Sequence, residues 1–151
     1  MATVSEVPAE PLIFRVAAAL RSEGALAPPE WAPFVKTGMH KENAPTNQDW
    51  WHVRAAAVLR KIYLLGPVGT ERLAAEFGGK RDRGSSPYRA KKGSRAITRK
   101  CLQQLEAAKL IGKQEKLGRV ITAKGRKLLD GNARVVLLEL VKTRKELEKY
   151  V

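Results

Sequence analysis

Residues 49–67, Asp49-Trp-Trp-His-Val-Arg-Ala-Ala-Ala-Val-Leu-Arg-Lys-Ile-Tyr-Leu-Leu-Gly-Pro67, decide the fold. Asp49 is an N-cap residue type and Gly66-Pro67 is stop chemistry, so the stretch predicts a helix over about 50–65. Within it only His52, Arg54, Arg60 and Lys61 are charged or titratable. They do not form one stripe: Arg54 and Lys61 lie close together around the wheel, with Arg60 about 100° away at 3.6 residues per turn. A helix that is apolar around most of its circumference is normally central and wrapped by others. Trp50 and Trp51 then read as core anchors, the alternative being exposed stacking platforms. Arg54 and Arg60, emerging from a buried helix, are candidate contacts with a partner. Arg54 has a second reading as a brace to a carboxylate or a helix end.

The neighbouring segments supply the rest of the domain. Thr70 caps a short helix, Glu71 to Phe77, closed by Gly78-Gly79. The seventeen residues from Gly78 to Ser94 are crowded with Arg, Lys, Gly and Ser and read as an irregular loop. Ser94 caps a helix over about 95–109. Its Ile97, Cys101, Leu105 and Ala108 fall on one side, toward a core. Arg95, Arg99 and Gln103 fall nearly opposite, with Lys92 upstream on the same line and Glu106 sharing the face. From Ile111 to Thr122, Leu117-Gly118-Arg119 sits at the turn of a short β-hairpin.

Thr122 caps a helix to about Asp130, and a last helix covers Ala133 to Tyr150, with Glu139 paired to Lys142. Val135-Val-Leu-Leu138 fits a strand by periodicity alone, but its continuation into Lys142–Lys149 favours helix. Toward the N-terminus, Pro11 opens a helix to about Glu23, stopped by Gly24. Four prolines then punctuate an irregular stretch over about 24–48. Three helices followed by a hairpin have the order of a winged helix-turn-helix. The expected fold is mostly α: a winged helix-turn-helix-like domain around a central helix, with a short β-hairpin wing and a C-terminal helix. Residues 1–130 form the domain and 131–151 a helical extension of it.

The chain has 151 residues, 29 Lys and Arg against 15 Asp and Glu, and a formal net charge of +14. Hydrophobic residues make up 44%, near the globular norm, so this is a folded domain that is also strongly basic. Such self-repulsion points to a polyanionic partner, nucleic acid before anionic membrane. The charge is uneven. Residues 1–48 carry four basic and five acidic side chains, residues 49–110 fourteen and five, and residues 111–151 eleven and five. The densest window holds Lys80, Arg81, Arg83, Arg89, Lys91, Lys92, Arg95, Arg99 and Lys100 against Asp82 alone. A DNA-reading helix-turn-helix uses a turn of about 3–4 residues. A long basic connection instead suits an irregular phosphate surface, ordering on contact, which favours structured RNA. A winged-helix DNA-binding transcription regulator is the alternative.

Other classes are excluded on chemistry. The longest charge-free run is nine residues, Ile62 to Thr70, far short of the roughly 20 needed to span a membrane. Glu6 and Glu10 precede the apolar stretch Leu12–Leu20 where a secretory signal needs positive charge, so an intracellular, soluble protein is expected. One cysteine rules out an internal disulfide and a Cys-rich zinc site. Two histidines and Cys101 make no convincing nucleophile–base set, so no catalytic residue, metal or cofactor is expected. Gly78-Gly-Lys80 lacks the spacing of a phosphate-binding loop.

The segments Val35-Lys-Thr-Gly-Met-His-Lys-Glu42, Asp49-Trp-Trp-His-Val-Arg-Ala55, Leu59-Arg-Lys-Ile-Tyr63, Gly66-Pro-Val-Gly69, Tyr88, Gly93-Ser94, Leu102-Gln-Gln-Leu-Glu106 and Gly118-Arg-Val-Ile-Thr-Ala-Lys-Gly125 resemble the family of ribosomal protein nineteen of the archaeal and eukaryotic small subunit. The match in order and spacing runs over roughly residues 10–130. The resemblance implies a structural, non-enzymatic constituent of the cytoplasmic small ribosomal subunit, bound to ribosomal RNA of the head (the 3′ domain) beside other ribosomal proteins. It also implies a role in subunit assembly and pre-rRNA maturation. Membrane and small-molecule partners are not implied. Carried over by position, the RNA-facing residues are Arg54, Arg60, Lys80, Arg81, Arg83, Arg89, Lys91, Lys92, Arg95, Arg99 and Lys100, with Gly118-Arg119 as the wing tip. Trp50, Trp51, Ile97, Cys101 and Leu105 are expected in the core. Two departures stand out: the chain reads Trp50-Trp51-His52 where family members often carry other aromatics after the first Trp, and Gly131–Val151 matches less well.

Overall fold

The computed structural model describes residues 3–144 and 146–147. Five helices surround one core: α1 (Ala9–Ser22), α2 (Trp50–Leu65), α3 (Thr70–Glu76), α4 (Arg95–Ala107) and α5 (Ala123–Thr143). Two antiparallel hairpins accompany them, β1 (Gly79–Arg83) with β2 (Ser86–Lys91), and β3 (Ile111–Gln114) with β4 (Gly118–Ile121). The architecture is mostly α and winged-helix-like, as the element order predicts.

The central role of α2 is borne out. It packs against α1, α4, α5 and β4, and Trp50, Trp51, His52, Ala55, Ala56, Val58, Leu59 and Ile62 are buried. Its open side is one sector holding Val53, Arg54, Ala57, Arg60, Lys61 and Leu64, so its cations do share a face. Trp50 and Trp51 are core residues, their rings edge-to-face at 5.4 Å. Asp49 precedes the helix without capping it through its side chain. Its carboxylate instead takes Arg21 at 2.5 Å.

The stretch before α2 is irregular apart from a one-turn 3-10 helix, Ala32–Phe34, yet it is firmly attached. Trp31 packs edge-on to Trp51 at 5.6 Å. The Trp51 indole donates to the Gln104 side-chain oxygen at 2.9 Å, and the Gln104 amide donates to the Ala27 carbonyl at 2.6 Å. The buried His52 Nε2 donates to the Leu26 carbonyl at 3.3 Å. His52 thus fixes the chain instead of facing a partner.

Three local expectations need correction. First, α3 begins at Thr70 with Gly69 in the cap position, so Thr70 does not cap it. Second, the Gly78–Ser94 segment is not an irregular loop but the β1–β2 hairpin. Gly84 turns with φ +70, and its amide donates to the Asp82 carboxylate at 2.8 Å. The root is clamped where Gly93 N donates to the Ala74 carbonyl at 2.8 Å and Ser94 N to the Thr37 carbonyl at 3.0 Å. Strands this polar carry no apolar alternation, which is why periodicity misses them.

Third, the two expected C-terminal helices are one. Thr122 does cap it, its hydroxyl accepting from Gly125 N at 3.2 Å, but α5 runs through Gly131 to Thr143. Leu129, Ala133, Val136 and Leu137 form one buried stripe across the glycine, enough to offset the roughly 1 kcal/mol that a mid-helix glycine costs. Glu139 pairs with Arg15 of α1 at 2.7 Å, not with Lys142. Arg144 is extended and α5 ends at Thr143; Lys145 and residues 148–150 of the expected helix lie outside the described residues.

Candidate nucleic-acid interface

The α4 helix divides as its pattern predicts. Ile97, Thr98, Cys101, Leu102 and Leu105 are buried, while Arg95, Arg99, Lys100 and Gln103 are exposed. The Ser94 hydroxyl caps it, accepting from Ile97 N at 3.4 Å. Burial pushes the Cys101 thiol up to about 12, so it stays protonated near neutrality and serves as a small hydrophobe. Arg99 and Lys100 make no ion pair among the described residues. Lys92 and Arg95 share Glu71, at 2.5 and 3.9 Å, and that hydrogen bond, then the two charges, lower the Glu71 pKa.

Between α3 and α4 stands the β1–β2 hairpin, exposed over every position but Gly79. Arg81 pairs directly with Arg89 across the ladder, and Lys80 with Ala90. Strand alternation puts Arg81, Arg89 and Lys91 on one face and Lys80, Tyr88 and Ala90 on the other. Two like charges directly opposite destabilise a free hairpin. An anion bound between them would offset that cost. Arg83 sits beyond an irregularity in the register, its guanidinium donating to the Pro87 carbonyl at 3.2 Å. Tyr88, 62% exposed, is an aromatic within this basic ribbon.

Arg54 is held differently. Its guanidinium lies over the Phe77 ring, 4.6 Å from the centroid, just before the hairpin root. Burial lowers its pKa from the ordinary value, though an arginine remains charged. It lines a groove with Phe14, Lys41, Trp50 and Phe77. Arg54 thus packs on an aromatic ring, not on the carboxylate or helix end of the bracing reading, and has no carboxylate partner among the described residues. Nearby, the His40 ring packs so closely on Gly79 that an added Cβ there would lie 2.9 Å from it. Burial first, then Lys41 and Arg54, lower the His40 pKa. Arg60 is half-buried on the open sector of α2, its Nε lacking a hydrogen-bond partner.

The wing needs one correction. Its turn is Glu115-Lys116-Leu117, with Lys116 at φ +63 and Leu117 59% exposed. Gly118-Arg119 is not the tip. Arg119 pairs with Lys113 in the ladder and bridges to Val68, and its Nε lies 3.6 Å from the Glu106 carboxylate. The tip's own cation is Lys116.

The structure therefore joins Lys91, Lys92 and Arg95 in one cleft with Lys36, Met39 and Glu71, and sets Arg54 in a separate groove. Lys36 was not singled out by the sequence, because it lies in the irregular stretch and reaches α4 only through tertiary packing. Among the described residues no His, Cys, Asp and Glu cluster suits a metal ion, and no helix is long and apolar enough to cross a membrane.

Comparison with known proteins matches the sequence to a family. The family model described as ribosomal protein S19e matches residues 3–139. The chain is 49% identical over 153 aligned residues to small ribosomal subunit protein eS19 of Aeropyrum pernix, covering 100% of both chains. It is 43% identical to that of Haloarcula marismortui, covering 99% of each. Identity to eS19A of Schizosaccharomyces pombe is 41%, covering 91% of this chain and 95% of that one. Through a match over nearly all of its length, the chain belongs to the ribosomal protein S19e family.

Proposed function

We propose that the chain is a structural constituent of the small ribosomal subunit that clamps folded ribosomal RNA in the subunit head and supports subunit assembly and pre-rRNA maturation. It works in the cytoplasmic ribosome among other small-subunit proteins and catalyses no reaction. The observation that carries the RNA reading is the pairing of Arg81 with Arg89 on an exposed hairpin, together with the exposed Arg99 and Lys100 of α4, which make no ion pair among the described residues. Phosphates neutralise such an array, whereas solvent alone leaves it self-repelling. The β1–β2 ribbon and the outward face of α4 track the backbone. Arg54 and Arg60 reach the RNA from the central helix, and Lys116 replaces Arg119 at the wing tip.

Sedimentation of cell extract tests this directly. The protein is expected to travel with the small ribosomal subunit, and the double variant Arg54→Ala, Arg99→Ala to lower subunit yield while keeping its helical circular dichroism. Normal subunit profiles in that variant would sink the reading. A transcription regulator would instead form dimers on a duplex operator, and family membership gives that alternative no support.

A further inference from the structure

The geometry points to a site for one unpaired nucleotide at the start of α4, with Phe34 as the stacking surface for its base and Lys36, Lys91 and Arg95 as the setting for its phosphate. This deepens the RNA reading above and rests on it.

Phe34 is 84% exposed, the most open of the large hydrophobic side chains among the described residues. It is also rigidly presented. Pro33 is the second residue of the 3-10 turn, Phe34 N donates to the Trp31 carbonyl at 3.1 Å, and Ala32 before them is buried. Trp31 is in turn fixed on Trp51. A flexible tail that exposes an aromatic says little; a braced turn that does so holds the ring ready, with little ordering entropy left to lose on contact.

The surroundings select the occupant. Trp31, Phe34, Val35, Ala96 and Ile97 line an apolar recess of about 580 Å³, together with Lys36 and Ser94. Lys36 and Ser94 also line the adjoining cleft of about 720 Å³, with Lys91, Lys92, Gly93 and Arg95. Glu71 lies in that second cleft and engages Lys92 and Arg95. Lys36 and Lys91 have no ion-pair partner among the described residues, so the cleft keeps an excess of positive charge. An apolar recess with an aromatic wall joined to a cationic cleft matches a base joined to its phosphate. A protein partner inserting an apolar side chain would have no use for the cations next door.

The test uses the full-length chain and two probes, a 12-nucleotide unstructured single-stranded RNA and a 12-base-pair RNA duplex, each followed by fluorescence anisotropy. Phe34→Ala is expected to weaken single-strand binding about tenfold, the usual effect of losing one stacked base. Duplex binding and the salt dependence should stay within twofold of wild type, and Phe34→Tyr should bind like wild type. Equal binding by Phe34→Ala and wild type would overturn the stacking site alone. So would an equal loss on the duplex, or full affinity in Phe34→Leu, which keeps an apolar side chain without a ring. If the wild-type chain bound neither probe, the RNA reading itself would fall with it.

Discussion

Val68 and Arg119 exchange both of their backbone hydrogen bonds, Val68 N to the Arg119 carbonyl at 3.1 Å and Arg119 N to the Val68 carbonyl at 2.9 Å. That bridge fastens the wing to the turn between α2 and α3, so the wing's orientation is inherited from the central helix. Gly118 permits it, with φ +114 and the Val68 carbonyl oxygen only 2.7 Å from where a Cβ would stand. Gly118→Ala is expected to destabilise the fold by roughly 1–3 kcal/mol, since it adds both strain and a clash. Denaturant unfolding measures this; an unchanged midpoint would show that the bridge is dispensable.

Arg54 and Arg99 separate two roles that charge alone does not distinguish. Arg99→Ala on the exposed face of α4 should change stability by less than about 0.5 kcal/mol while weakening RNA association. Arg54→Ala removes a side chain packed on Phe77 and should cost about 1–2 kcal/mol of stability as well. Melting and RNA co-sedimentation of the two single variants give the comparison.

The Arg81–Arg89 pair predicts a trade. Arg89→Thr relieves cross-strand repulsion and should leave the free chain equally stable or gain roughly 0.2–1 kcal/mol. The same change should weaken RNA binding and make the salt slope shallower by about one unit or less. For wild type, about six neutralised phosphates correspond to a slope near −4 to −5 in log affinity against log salt.

His40 supplies the pH dependence. Its folded-state pKa is lowered from 6.5 by burial and by the Lys41 and Arg54 charges, so the unfolded chain takes up the proton first. Stability from this group is present above pH 6.5 and is lost as pH falls toward and through the folded value. Melting temperature should therefore decline below about pH 6.5, and His40→Gln should remove that part of the decline. A histidine variant with the same profile as wild type would assign the effect to other groups.

Gly131 offers the converse of Gly118. It lies inside α5 with nothing within 4 Å of an added Cβ. Gly131→Ala is expected to stabilise the chain by about 0.5–1 kcal/mol, read as a higher melting temperature.

Helix order, the α4 faces and the tryptophan core were legible because burial imposes a 3.6-residue period on Trp51, Ala55, Val58 and Ile62, and on Ile97, Cys101 and Leu105. The basic ribbon was legible as charge and not as shape. Gly79–Lys91 has no buried face to write a period-2 pattern, so its strands are set by the Asp82–Gly84 turn and by the clamp at Gly93. Gly131 misled because a glycine reads as a stop, whereas the stripe from Leu129 to Leu137 carries the helix through it. Lys36 and Phe34 were hidden for another reason. Their placement beside α4 depends on Trp31 finding Trp51 and on Gln104 holding Ala27, contacts that no local window contains.

The β1–β2 ribbon contributes no side chain to the hydrophobic core, while Arg54 on α2 is packed against one. The two basic regions are therefore open to change on different terms. On the proposed function, a substitution at Arg81 or Arg89 is expected to alter the grip on RNA while leaving the core untouched, so this ribbon could be refitted to a different RNA contour. At Arg54, packed on Phe77, a change is expected to be felt twice, once in the proposed RNA contact and once by the fold. The molecule thus keeps an adjustable surface and a fixed one, divided at the clamp where Gly93 meets Ala74.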